Sequence, residues 1–302
     1  MPSILFYIVT PTFNSISWLP QCVRSVADQA GMVRVHHHVQ DGGSSDGTVA
    51  WLEKWSRSHE NDPDYRFTWE SAEDAGMYDA VNKAWERMPE DADFMAHLNS
   101  DEQYLPGALA AVAEEAAKMP EADILLGAYI ILDKDSRYIA HRLPVLPRAW
   151  SSWLVCTCIT NSCFHRVKKF REHGIRFDNQ WKIIGDLVFY SELARAGLNF
   201  ALIAATTSAF ICTGGNLAWT DASRVEEEAA RYKRTVPFWA VWFHALIAKW
   251  VNKKRIFRRI GRRLDTEYSI YLPGMDVRKG TRIHHPTVRW KRRTVSHEPM
   301  ES

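Results

Sequence analysis

The corner Asp41-Gly42-Gly43-Ser44-Ser45-Asp46-Gly47-Thr48 holds two acids, three glycines and three hydroxyl residues. An apolar strand-like run, Val33–Val39, leads into it, and a helix-like run, Val49–Trp55, leads out. In open α/β sheets ligands bind at such corners, beyond the carboxyl end of a strand. Glycine lets backbone approach a ligand closely. An Asp there can accept hydrogen bonds from a base or a sugar edge. The same residues suit a plain capped turn, with Asp46 or Ser45 as N-cap. The corner alone does not choose between the two.

Three further acidic sites follow. In Glu70-Ser71-Ala72-Glu73-Asp74-Ala75-Gly76-Met77-Tyr78-Asp79, continued by Ala80-Val81-Asn82-Lys83, the residues Gly76, Asp79 and Lys83 lie on one side of a helix. The apolar stripe Met77/Val81/Trp85 lies on the other. A solvated Asp79–Lys83 pair accounts for those two but not for Asp74-Ala75-Gly76, set just before the helix. Leu98-Asn99-Ser100-Asp101-Glu102 ends the apolar run Phe94–Leu98. Carboxylates just past a strand can hold Mg²⁺ or Mn²⁺, which in turn grips a diphosphate. A turn before the helix opened by Pro106 is the plainer alternative. Gly185-Asp186 precedes the helical run Leu187–Ala196, where Asp186 is either an N-cap or a general base.

The elements that must position these sites alternate through the first half. Strands are expected at Ile4–Val9, Val33–Val39, Arg66–Trp69, Asp93–Leu98 and Ile124–Leu132. Helices are expected at Trp18–Gln29, Val49–Trp55, Gly76–Met88 and Pro106–Lys118. This βαβα order argues for an α/β fold, a mainly parallel sheet with helices on both faces. Past the hairpin-like Asp133-Lys134-Asp135-Ser136 the pattern loosens. Ile159–Phe164 and Asn199–Ala204 read as strands, Asp186–Ala196 and Ala222–Arg234 as helices. The last thirty residues have little periodicity and read as partly disordered.

Composition narrows the class. The chain has 302 residues, 46% hydrophobic and 25% charged, with a formal net charge of +2. That is ordinary for a globular domain with an appendage. Five cysteines do not make a disulfide scaffold. The Met1-Pro2-Ser3-Ile4 start does not read as a signal peptide, and no run reaches the ~18 apolar residues of a membrane span. A cytoplasmic protein is the expectation. His36-His37-His38 resembles a metal cluster, but alternate strand residues face opposite ways. Cys156, Cys158 and Cys163 lack a second matched pair at zinc spacing and read as buried small residues. His165 reads as a structural histidine.

Val9-Thr10-Pro11-Thr12-Phe13-Asn14, the Asp41–Thr48 block, the Asp74–Lys83 block and Leu98-Asn99-Ser100-Asp101 occur in that order. Together they resemble glycosyltransferase family 2, the inverting nucleotide-sugar transferases with a GT-A fold. Within it, the chain resembles the bacterial branch that builds polysaccharide and lipopolysaccharide. The resemblance runs from about Ile4 to Ala209. It implies that Pro11, Thr12 and Asn14 line the nucleotide pocket and that Asp41 accepts a hydrogen bond from the base. Glu73, Asp74 and Lys83 would face the donor's ribose, sugar or phosphates. Asn99-Ser100-Asp101 would be the metal triplet, written Asp-x-Asp in many members. Here Asn99 replaces the first acid, so Asp101 is the main ligand for a divalent Mg²⁺ or Mn²⁺, with Glu102 as a helper. Asp186 matches the acidic residue that acts as catalytic base. The implied partners are a nucleotide-sugar donor and a saccharide or lipid-linked acceptor.

The resemblance sets a GT-A catalytic domain at residues 1–215, with a nucleotide half to about 105 and an acceptor half from 106. A C-terminal helical and basic extension follows at 216–302. In that extension Trp239, Trp242, Phe243, Leu246 and Trp250 recur at helical spacing. Lys253, Lys254, Arg255, Arg258, Arg259, Arg262 and Arg263 follow with no acid among them. A helix over residues 237–263 can lie on an anionic membrane surface or pack against the catalytic domain, and the resemblance to polymer-building transferases, which often act on lipid-linked acceptors, implies the membrane. No nucleic-acid motif accompanies these cations. Two rival readings remain. One is a non-catalytic binding or assembly protein on the same fold, favoured by Asn99. The other is a sugar-phosphate nucleotidylyltransferase, disfavoured because Pro11-Thr12-Phe13-Asn14 stands where a Gly-rich basic loop belongs.

Overall fold

The computed structural model describes residues 4–216, 220–258, 266–284 and 286–288. Its centre is a mixed sheet of nine strands in the order β3-β2-β1-β4-β8-β6-β9-β5, with β7 paired to β6. The strands are β1 (Leu5–Thr12), β2 (Arg34–Asp41), β3 (Tyr65–Ser71), β4 (Phe94–His97), β5 (Gln103–Tyr104), β6 (Ile124–Asp133), β7 (Tyr138–Arg142), β8 (Cys163–Arg166) and β9 (Phe200–Cys212). Pairing is parallel along β3-β2-β1-β4 and between β6 and β9. It is antiparallel where β8 enters between β4 and β6. The expected parallel half is present, and the hairpin turn at Asp133–Ser136 joins β6 to β7.

Helices cover both faces. They are α1 (Leu19–Ala27), α2 (Thr48–Ser58), α3 (Met77–Glu86), α4 (Ala108–Lys118), α5 (Val167–His173) and α6 (Gly185–Arg195). Strand β1 shows why the protein has three layers. Its side chains alternate between the faces, and every one of its residues is buried. Phe6 and Ile8 join one core with Leu19 and Val23 of α1, Leu52 of α2 and Leu109 of α4. Leu5, Tyr7 and Val9 join the other with Val81 and Trp85 of α3, Phe170 of α5 and Phe189 of α6. A strand buried on both sides reads as a continuous apolar run, which is why it was visible in the sequence.

The histidine triplet obeys the same alternation. His36 Nε2 and His38 Nδ1 each lie 2.9 Å from Thr68 Oγ1. His37 faces the other way, to Thr10 Oγ1 at 2.9 Å and the Tyr65 hydroxyl at 3.0 Å. Burial pushes His36 down to about 4 and His37 to about 3, so both are neutral side chains of the core. His165 is buried as well, with Nε2 3.4 Å from the Tyr190 hydroxyl.

Beyond β9 come α7 (Ala222–Lys233), α8 (Phe238–Trp242) and α9 (His244–Phe257), then a hairpin of β10 (Thr266–Tyr271) and β11 (Arg278–Ile283). The extension is thus not purely helical. The expectation of little structure in the last thirty residues fails at Arg278–Ile283. There Arg278 Nε pairs with Asp28 at 2.8 Å, and the neighbouring strand bonds Gln103 through Tyr271 N at 2.8 Å. The tail beyond residue 288 lies outside the described residues.

The single helix expected from the aromatic spacing of residues 237–251 breaks at Phe243, which caps both α8 and α9. The stripe divides within each of the two helices. Trp239 and Trp250 pack on Val145, Ile247 and Val251. Trp242 (83% exposed), Phe238 (77%), Leu246 (60%) and Phe243 (51%) point to solvent. The basic cluster divides too. Arg255 is buried and donates to the Cys156 and Thr157 carbonyls at 3.2 Å, and Arg258 donates to the Pro144 carbonyl. These two cations are structural, because loop carbonyls of residues 144–157 need donors. Lys253 and Lys254 remain on the surface, stacked over Phe257 and Trp250. Arg259, Arg262 and Arg263 lie outside the described residues.

Candidate active site

The parallel register brings four sequence blocks to one edge of the sheet. Thr12 pairs with Asp41, Asp41 with Ser71, and Val9 with His97. Parallel strands all end on the same side, so the loops 12–16, 41–48, 71–76 and 98–102 meet there. This is the crevice in which open α/β sheets bind ligands.

The first two loops are sewn together. Asn14 adopts φ 46°, in the left-handed region that Asn tolerates better than most residues. From there its N–H donates to Ser44 Oγ at 2.7 Å, and its Oδ1 accepts from Ser45 N at 2.9 Å. Gly42 N donates to the Thr12 carbonyl at 2.9 Å. Asp46 accepts from Ile16 N and Thr48 N, both at 3.0 Å. Gly47 occupies the N-cap position of α2 without a side-chain bond. Asp46 thus bridges the loops as well as serving the helix start.

Asp41 is completely buried. Its Oδ2 accepts from Gly43 N (3.1 Å), Ser44 N (2.9 Å) and Ser71 Oγ (2.6 Å), and its Oδ1 accepts from Ser44 Oγ. A carboxylate offers about four acceptor directions. Asp41 therefore builds the loop it sits in, and an incoming donor group would have to displace one of these four donors. Thr12 Oγ1 is buried beside it without a hydrogen-bond partner. Pro11 is buried in the same strand end.

Asp74 lies against Gly42, where an added Cβ would meet Asp74 Oδ2 at 2.8 Å. Asp74 Oδ1 accepts from Gly76 N at 2.7 Å. Glu73 is exposed. Lys83 donates to the Glu73 carbonyl and pairs with Asp79, both at 3.0 Å, so it closes its own block. The Ala75 N–H and the Lys83 ammonium hold the Asp79 carboxyl below the usual range.

The triplet Asn99-Ser100-Asp101 is half-buried. Asn99 Oδ1 lies 2.8 Å from His97 Nε2. Asp101 Oδ2 accepts from Asn216 Nδ2 at 3.0 Å. Burial raises the Asp101 carboxyl to about 6, opposed by bonds from its own N–H and Thr213. Glu102 is buried and occupied. It accepts from Asn99 N and Asn161 Nδ2, both at 2.9 Å, and burial beside Asp101 lifts its carboxyl well above the usual range. Each Glu102 oxygen thus already accepts one bond that holds the loop in shape.

Among the described residues no group of three His, Cys, Asp or Glu side chains is placed to hold a metal. The donor set nevertheless fits a shared site. Mg²⁺ and similar ions use one or two carboxylates and take the rest of their shell from phosphates and water. A half-buried carboxylate raised to about 6 is one that an added cation would stabilise.

Asp186 opens α6, and its N–H donates to the Tyr78 hydroxyl at 3.1 Å. Tyr78 stands in the first turn of α3, two residues after Gly76, so Asp186 joins the Asp74–Asp79 block. Gly185 permits this contact, since a Cβ there would lie 2.4 Å from the Tyr78 ring. Lys182, which sequence reasoning missed, donates from Nζ to the Ala75 carbonyl. Glu228 of α7 was missed too; its signal was only the run Glu226-Glu227-Glu228 on a charged helix.

The parallel β3-β2-β1-β4 half, the inserted antiparallel β8 and the acidic loop after β4 define a GT-A fold. The sequence model of the family described as "Glycosyl transferase family 2" matches residues 7–187, and the chain belongs to that family. A Mycobacterium tuberculosis protein known as an uncharacterized glycosyltransferase is 37% identical over 76 residues, 25% of this chain and 26% of the relative. The match thus spans about a quarter of that curated relative. The structure of Staphylococcus aureus TarS in complex with UDP has a TM-score of 0.56 at 14% identity, covering 85% of this chain and 73% of that one. The TarS complex with UDP-GlcNAc has a TM-score of 0.54 at 15% identity, covering 69% and 58%. The mannosyltransferase PcManGT from Pyrobaculum calidifontis, in complex with GDP-Man and Mn²⁺, has a TM-score of 0.52 at 15% identity, covering 71% and 59%. The longest TarS chain among these is matched over 39% of its length.

Proposed function

We propose that this protein moves a sugar, of hexose type, from a nucleotide-diphosphate donor to an acceptor hydroxyl with inversion at the anomeric carbon. The observation that carries the reading is the convergence of the 11–14, 41, 73–74 and 99–101 positions on one sheet edge, tied to Asp186 through Tyr78. The solved neighbours with UDP, UDP-GlcNAc and GDP-Man support the donor class.

In this reading Thr12 Oγ1, buried and without a partner, meets the nucleoside, as buried polar atoms call for partners. Pro11 and Asn14 shape the wall beside it. Asp41 accepts from the base, while Glu73, Asp74 and Lys83 face ribose, sugar and phosphates. Asn99, Ser100 and Asp101 hold the diphosphate end. A divalent cation on Asp101, when bound, neutralises charge developing on the departing diphosphate. Asp186 takes the proton of the acceptor hydroxyl as that oxygen attacks. Alignment of the two substrates supplies much of the remaining acceleration.

The biological role proposed is synthesis of bacterial surface polysaccharide or glycolipid, at the inner face of the cytoplasmic membrane. Exposed Phe238, Trp242, Phe243 and Leu246, beside surface Lys253 and Lys254, support contact with anionic lipid. No helix among the described residues is long and apolar enough to cross a membrane.

The test is release of nucleoside diphosphate from UDP-GlcNAc, GDP-Man and related donors with Mn²⁺. Wild-type protein should turn over one of them, and Asp186→Asn should cut the rate at least 100-fold, within the range general-base loss produces. Nucleotide binding without turnover of any donor would favour the binding-protein alternative, which rests on Asn99 being bonded to His97 rather than offering a second carboxylate.

A further inference from the structure

Glu228 is a carboxylate with 4% exposure on a charged helix whose other buried side chain is Tyr232. Burying a charge is costly unless it is paired and hydrogen-bonded. Its guanidinium neighbour, Arg224, stands off at 3.8 Å. Its close partners are three successive backbone N–H groups: Lys182 N at 2.8 Å to Oε1, Ile183 N at 3.0 Å and Ile184 N at 3.2 Å to Oε2. Successive amides turned toward one point form an anion-binding nest. Here the anion is the protein's own side chain, delivered from α7.

Docking α7 does not need this arrangement. Tyr232 and Val236, from α7 and the turn after it, already pack with Trp181 and Val188. What the nest fixes is the segment that runs directly into Gly185-Asp186. The far side of that segment is held by α3. The Tyr78 hydroxyl donates to the Ile183 carbonyl at 3.2 Å and accepts from Asp186 N at 3.1 Å. The Tyr78 ring fills the space at Gly185, and Lys182 Nζ reaches the Ala75 carbonyl. Residues 182–186 are therefore clamped between Glu228 and Tyr78.

We infer that Glu228 is a positioning residue: it sets the Asp186 carboxylate against the acceptor hydroxyl and makes α7 a working part of the active site. The inference rests on Asp186 being the catalytic base. Glutamate suits the task better than its neighbours in chemistry. Glutamine offers one acceptor oxygen, and its amide N–H₂ would point at a donor. Aspartate is one methylene short of the loop.

The experiment compares Glu228→Gln, Glu228→Asp and Glu227→Gln in the full chain, reading donor hydrolysis and thermal unfolding. Displacements of about 1 Å at a reacting group cost about 100-fold in rate. Glu228→Gln should lower kcat about 30- to 100-fold with the donor KM within about twofold. Glu228→Asp, which keeps the charge, should fall between it and wild type. Glu227→Gln, on the exposed side of α7, should match wild type. In an Asp186→Asn background Glu228→Gln should cost little more, because both changes remove the same group's work. Unchanged kcat in folded Glu228→Gln or Glu228→Asp overturns the inference. So does a loss of kcat that repeats in full on top of Asp186→Asn. Should Glu228→Gln fail to fold, Glu228→Asp decides alone. Wild-type turnover in Asp186→Asn would instead sink the base assignment, and wild-type protein inert toward every donor would sink the transferase reading.

Discussion

Replacing Asp41 separates what this residue does for the loop from what it does for a ligand. Its carboxylate accepts four hydrogen bonds, three on Oδ2 and one on Oδ1. A hydrogen bond contributes about 1 kcal/mol net, and somewhat more when the acceptor is charged. Asp41→Ala would remove all four. The donors, however, belong to Gly43, Ser44 and Ser71, which are half-buried or exposed, so water can replace part of the loss. A cost of about 2–4 kcal/mol follows, equivalent to a Tm decrease of about 4–8 °C at roughly 2 °C per kcal/mol for a large domain. Asp41→Asn behaves differently. Its amide oxygen can take the Oδ2 place and keep three bonds, while the Ser44 hydroxyl rotates to accept from Nδ2. About 1 kcal/mol should be lost, mostly charge assistance. Calorimetry with UDP and GDP then reads the ligand side. Asp41→Asn should weaken the preferred nucleotide about tenfold, and Asp41→Ala about 100-fold, because loop order is lost with the acceptor. An alanine variant as stable as wild type, binding nucleotide equally well, would refute the reasoning.

Acid should weaken metal-assisted binding through Asp101. Its carboxyl, raised by burial to about 6, is protonated below that value, and cations bind the ionised form. Nucleotide affinity with Mn²⁺ should be flat above pH 6 and fall about tenfold per pH unit below it, whereas nucleotide binding without metal should not show this break. The same shift makes the metal-free protein lose stability as pH rises from the ordinary carboxylate range through about 6, since the folded state there keeps a proton that the unfolded chain has already released. Chemical unfolding at pH 4.5 and 7.5, with and without Mn²⁺, checks the sign. At the surface, Trp242→Asp and Leu246→Asp should each weaken sedimentation with anionic liposomes about tenfold, the scale set by burying a large apolar side chain, while donor hydrolysis in solution stays unchanged. Equal sedimentation would remove the case for membrane contact. Point changes serve better than deletion from Pro237, which would also strip the Tyr271–Gln103 bond from the sheet.

Much of the fold was written locally. Phe94–Leu98 and Ile124–Leu132 are mostly apolar runs, each preceded by an aspartate, and Val33–Val39 alternates valine with polar residues between Gly31 and Asp41. Such runs are strands buried on both faces, and a parallel sheet is the way to bury them. The four loop blocks were legible for the same reason, since each directly follows its strand. What escaped depends on distant partners. Strand β9 runs from Phe200 to Cys212, but Ala204–Ser208 has no apolar alternation of its own and is a strand because β6 lies beside it. The β10–β11 hairpin is stabilised by Asp28 and Gln103, more than 150 residues away in sequence. Periodicity marked Trp239 and Trp242 as one stripe, but within α8 only Trp239 reaches the Val145/Ile247/Val251 cluster, while Trp242 is exposed. Glu228 looked like any solvated glutamate until Lys182, Ile183 and Ile184 supplied its nest. Glu102 likewise has a support remote in sequence, Asn161.

The most direct measurement is a crystal soaked with the turned-over donor's nucleoside diphosphate and Mn²⁺, read by anomalous scattering. The account predicts a manganese peak about 2.1 Å from an Asp101 carboxylate oxygen, a typical octahedral oxygen-ligand distance, with the nucleoside against Thr12 and Asp41. Manganese and nucleotide bound away from the carboxyl edge of β1, β2 and β4, with no manganese at the Asp101 carboxylate, would contradict it.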